Sequence, residues 1–124
     1  MRKPRAPARG MFFISKITKM ITNHNKTQLE LVLQRVEIFE QSPLSLSTLL
    51  SLTRSLEESI KLLSIDDKEW TDSLISEWWE LEFTSSLMMD KETENFTDED
   101  KENLELALQN MKVMIKTYLI EASS

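Results

Sequence analysis

The stretch DDKEWTDSLISEWWELEFTSSLMM, residues 66–89, carries the pattern on which the fold turns. Trp70, Leu74, Trp78, Leu81 and Met88 recur at the spacing of one helix face. Ile75, Trp79, Phe83 and Leu87 recur four residues apart and line a second, adjacent face. So wide an apolar sector predicts a helix from about Asp66 to Met89 with neighbours on two sides, at the centre of the core. Adjacent helix positions diverge by about 100°, so Trp78 and Trp79 cannot point the same way and one of them reaches the surface. Ser64 with Asp67 three residues on resembles a capping box, with Asp in place of the usual Glu, and the acids suit the positive end of the helix dipole.

Working toward the C-terminus, residues 90–96 form a polar link. Thr97 with Asp100 repeats the capping signal, with Asp98 and Glu99 in the first turn. A further helix runs to about Ile120 on the stripe Leu104, Leu106, Ala107, Leu108, Met111, Met114 or Ile115, and Tyr118. Lys112 and Lys116 complement the negative end of its dipole, and residues 122–124 are expected to fray.

Toward the N-terminus, Leu29, Val32, Leu33, Val36 and Phe39 or Glu40 predict a helix from about Thr27 to Gln41. Ser42 is read as the cap of the next helix, with Pro43 in its first turn, where no amide hydrogen is missed. That helix spans about Pro43 to Leu63 on Leu46, Leu49, Leu50, Leu52 or Thr53, Leu56, Ile60 and Leu63. Its serines and threonines lower its intrinsic propensity, so burial of the leucines must hold it. Four helices with short connections predict an all-α chain, a four-helix antiparallel bundle over residues 20–124.

Composition agrees. The 124 residues include one Gly, three Pro and no Cys. Tight hairpins, a glycine-rich phosphate loop, a thiol nucleophile and a thiolate metal site are all excluded. His24 is the one histidine, read as an exposed loop or cap residue. It cannot make a di-iron Glu-x-x-His pair or a Ser-His-Asp set. No catalytic residue, metal or cofactor is expected.

Residues 1–19 hold six basic residues and no acid, and read as an extension, disordered or loosely attached, outside the fold. Met11-Phe12-Phe13-Ile14 is too short for a membrane span or a signal-peptide core. A mitochondrial presequence and an upstream extension before a start at Met20 are the two readings of this segment.

The remaining chain carries nine basic against 21 acidic residues, a net charge of −12. Residues 66–105 alone hold 15 acids against Lys68, Lys91 and Lys101. A merely solvated face interleaves both signs, so the imbalance points to a basic partner and away from nucleic acid and anionic lipid. A second reading uses Glu77-x-x-Glu80 and Glu99-x-x-Glu102 as a magnesium site, the plan of all-helical nucleoside-triphosphate pyrophosphatases. That reading needs the four carboxylates converging in a pocket. Too few Lys or Arg lie near to hold a triphosphate. A third is a non-enzymatic helical adaptor or self-associating protein, which calls for an uncovered apolar patch.

Asp67-Lys68-Glu69-Trp70, then Ser76-Glu77-Trp78-Trp79-Glu80-Leu81-Glu82, then Asp90, resemble the small helical immunity proteins of contact-dependent growth inhibition and related polymorphic toxin systems. The resemblance covers about Leu46 to Ile120. It departs at Phe83-Thr84, where small residues often follow Leu-Glu. It implies a cytoplasmic bacterial protein, not an enzyme, that binds a cognate nuclease toxin domain and blocks its active site or substrate groove. A basic nuclease groove would pair with Glu77, Glu80, Glu82, Asp90, Glu92, Glu94, Asp98, Glu99 and Asp100, with Trp79 as the apolar anchor.

Overall fold

The computed structural model describes residues 23–123. The basic extension over 1–19 and the start at Met20 lie outside the described residues. The described chain is four helices with no strand: α1 (Asn23–Gln41), α2 (Leu46–Lys61), α3 (Lys68–Asp90) and α4 (Asp98–Ser123). α1 packs on α2, α2 on α3, α3 on α4, and α4 closes the ring on α1. With short connections this is an up-and-down antiparallel bundle. None of these helices is long and apolar enough to cross a membrane.

Each helix turns its predicted stripe inward. Leu29, Val32 and Val36 of α1 meet Leu49, Leu52 and Leu56 of α2. Trp70, Leu74, Trp78 and Leu81 of α3 meet Leu104, Leu108, Met111 and Ile115 of α4. Trp78 is buried, and its indole Nε1 donates to the Thr53 carbonyl of α2 at 2.9 Å. Trp70 packs on Tyr118 with ring centroids 4.8 Å apart. Buried Asn25 ties the start of α1 to the α2–α3 connection. Its Nδ2 donates to the Ser64 carbonyl and its Oδ1 accepts from the Ser64 amide, both at 2.9 Å. His24, exposed in the first turn of α1, donates from Nε2 to the Leu62 carbonyl. Lys112 of α4 reaches both carboxylate oxygens of Glu40 on α1, at 2.8 and 3.0 Å.

The predicted caps are partly moved. Thr97 and Asp100 do form the reciprocal box, each side chain accepting from the other's amide at 3.0 Å. Ser42, however, finishes α1: its amide donates to the Phe39 carbonyl and its hydroxyl to that of Ile38. Ser45 caps α2 instead, in a reciprocal box with Thr48 that Ser42 has no partner to match, so Pro43 lies before the helix. Asp67 rather than Ser64 caps α3, its side chain accepting from the Trp70 amide, because both backbone groups of Ser64 are engaged by Asn25. At the other end α4 continues through Ser123, with Ala122 packed against the core. Leu106 of the predicted α4 stripe is exposed.

Burial first, then the negative charges of Asp67 and Asp66, push the Tyr118 hydroxyl above its usual 10.0. The unfolded chain releases that proton at lower pH than the folded one. The associated stability is therefore intact below the unfolded value and lost as pH rises through the raised folded value. Tyr118→Phe should flatten the decline of Tm between about pH 9 and about pH 11, read by thermal unfolding across that range.

Candidate protein-binding surface

The second apolar face of α3 is partly open to solvent over its middle. Trp79 is 55% exposed and Phe83 47%, while Ile75 and Leu87 are half-buried. Trp79 follows Trp70 by two and a half turns, which at about 100° per residue puts it opposite the buried stripe. α3 does have neighbours on two sides, α2 and α4, as its wide apolar sector requires; what the stripe did not foretell is that Trp79 and Phe83 of the second face lie largely in solvent. The Trp79 ring meets the edge of Trp78 at 5.0 Å and 66°, so the exposed indole is braced by a buried one.

Glu80 and Glu82 sit half-buried on the two flanks of Trp79. Glu82 Oε1 accepts from the Ser86 hydroxyl at 3.2 Å. Asp90 lies eleven residues beyond Trp79, within about 20° of the same line, so the stripe runs straight to the end of the bundle. There the α3–α4 connection and the first turn of α4 bring Asp90, Glu92, Glu94, Asp98, Glu99 and Asp100 to one end of the bundle. Asp90, Glu92, Glu94, Asp98 and Glu99 are exposed and Asp100 is half-buried.

Glu77 is the exception among the predicted contact residues. It is only 5% exposed, which removes it from any contact surface. It stands three residues after Leu74 and four before Leu81, on the inward side of α3. That spacing puts it on the core stripe despite its charge.

The magnesium plan loses its geometry for the same reason. The Trp70–Tyr118 contact sets the register of α3 against α4, placing Glu80 level with about residue 108. Glu102 then lies about 9 Å further along the axis and Glu99 further still. Among the described residues no group of three or more His, Asp or Glu side chains is placed to hold a metal ion.

The acids at this end fall into two physical groups. Asp98, Glu99 and Asp100 sit at the positive end of α4, where they stabilise the helix, and Asp100 belongs to the cap. Asp90 lies in the last turn of α3, at the negative end of its dipole, with Lys91 next to it at the C-cap. Glu92 and Glu94 follow it closely.

Glu92 adds a backbone cost. It is the one non-glycine residue with positive φ (53°) among the described residues. The amide of Thr93 donates to the Met88 carbonyl and that of Glu92 to the Met89 carbonyl, both at 3.1 Å. This is a Schellman end, in which the left-handed position ordinarily belongs to Gly. Glu92→Gly should raise stability by about 0.5–1 kcal/mol in chemical denaturation, by relieving the Cβ crowding and removing a carboxylate from the negative end of α3. A fall in stability would show that the Glu92 side chain holds the turn.

A scan against protein-family models gives no match, and searches of the curated proteins and of solved structures give none either.

Proposed function

We propose that this chain is a cytoplasmic immunity protein that neutralises a cognate basic nuclease toxin domain by covering its substrate groove. The observation that carries this reading is an exposed Trp79–Phe83 stripe running into acids that oppose the α3 dipole. Residues that cost the fold stability and have no role within it are candidates for contact with something outside it.

In this reading Trp79 supplies the apolar anchor, with Phe83 beside it. Glu80 and Glu82 flank the anchor and exclude an acidic or second like-charged surface. Asp90, Glu92 and Glu94, with Asp98, Glu99 and Asp100, take the Lys and Arg side chains that would otherwise hold phosphates. The −12 charge of residues 20–124 steers the encounter and speeds association. None of these roles calls on a cofactor.

The exposed stripe also supports a helical adaptor, the reading that called for an uncovered apolar patch. The flanking acids favour a basic partner in either case.

The test mixes the full chain with basic nuclease toxin domains and follows capture and nuclease activity at low and high salt. Stoichiometric capture with loss of activity, weakened by salt, supports the immunity reading. Unimpaired nuclease activity in the presence of excess chain overturns it.

A further inference from the structure

On the side of the ring away from α3 and α4, a groove of about 300 Å³ opens between α1 and α2. Ile38, Phe39 and Leu52 give it an apolar wall, Ser51 and Ser55 line it with hydroxyls, and Arg35 closes it. In a chain this acidic, no Asp or Glu lines the groove. Arg35 is half-buried. Its Nη1 donates to the Ser55 carbonyl at 3.1 Å and to the Ser59 hydroxyl at 3.3 Å. A guanidinium has further N–H donors on Nε and Nη2. Among the described residues Arg35 pairs with no carboxylate.

We propose that this groove binds a small amphiphilic carboxylate, its head on Arg35 and the adjacent hydroxyls, its hydrocarbon against Phe39, Leu52 and Ile38. The planar fork of a guanidinium matches a carboxylate in a bidentate pair. A dianionic phosphate ester would call for a second cation, and Arg35 is the one basic residue among those lining the groove. A cationic ligand would meet Arg35 with no carboxylate to receive it. A purely apolar one would cover the guanidinium without offering an acceptor, at a desolvation cost. The volume lies at the lower end of the range for small-molecule sites, about 300–1,000 Å³.

The test titrates the full chain with octanoate and follows backbone amide resonances, with octanol and acetate as tail-only and head-only controls. Octanoate should shift the amides of residues 35–42 and 47–55 and bind more tightly than either control. Arg35→Met keeps the apolar stem and should weaken octanoate at least about tenfold, the loss of one charge-assisted hydrogen-bonded pair. Ser51→Leu, at an exposed position that leaves the core untouched, should block the groove and abolish the shifts. Octanoate that binds both variants as tightly as the parent, that shifts α3 and α4 instead, or that causes no shift at millimolar concentration overturns the proposal.

Discussion

Trp70→Ala should cost about 3–5 kcal/mol of folding stability, enough to leave most molecules unfolded at physiological temperature in a domain of ordinary stability. Trp70 is fully buried at the first turn of α3, and its ring lies on Tyr118 of α4. Its amide also completes the Asp67 cap, so the residue stands where the helix starts and where it docks. Removing the ring opens a cavity that the surrounding helices fill only in part. Trp70→Phe keeps an aromatic face for Tyr118 and should cost markedly less. Urea denaturation of the two variants decides the matter; equal losses would show that the ring packing on Tyr118 contributes nothing.

Nine residues along the same helix, Trp79→Ala should do the opposite. Stability should fall by about 1 kcal/mol or less, because Trp79 is more than half exposed and meets Trp78 at its edge. Affinity for the basic partner should fall by about 2 kcal/mol or more, roughly thirtyfold, as expected for an aromatic anchor at an interface centre. The two tryptophans have the same chemistry and sit on the same helix. Their effects separate because one side chain faces α4 and the other faces solvent. Titration calorimetry against the partner, beside thermal unfolding of the free chain, reads both quantities. A large stability loss with unchanged affinity would return Trp79 to a structural role.

Most of the fold was legible because helical periodicity is a property of neighbouring residues in sequence. Most of each stripe appears in the core, with Leu106 the exposed exception, and the Thr97–Asp100 box stands as read. What was misplaced depends on competition between distant groups. Ser64 looks like a cap until Asn25, far away in sequence, takes its amide and carbonyl. Ser42 looks like a cap until Ser45 finds Thr48. The second face of α3 looks like core because an apolar stripe has the same spacing whether its neighbour comes from this chain or from another molecule. That ambiguity is also what makes the face informative once it is seen exposed.

The candidate surface was legible in outline. The acid-rich segment and the choice of one exposed indole came from composition and helix geometry. The burial of Glu77 needed its position between Leu74 and Leu81 to be weighed above its charge. The left-handed backbone at Glu92 left no mark in the sequence, since Glu is not a residue that advertises positive φ. The groove at Arg35 depends on how α1 and α2 approach each other, which no local pattern encodes.

In the proposed function the acids at the end of α3 serve a basic partner. The most direct test is the association rate of a basic nuclease domain that the chain captures, with the full chain and with a triple variant, Asp90→Lys, Glu92→Lys and Glu94→Lys, measured across ionic strength. The account predicts that the variant folds at least as stably as the parent, because cations now suit the α3 terminus. It also predicts that association slows by about tenfold or more at low salt and loses most of its salt dependence. A variant that associates at the parental rate, with the parental salt dependence, would contradict it.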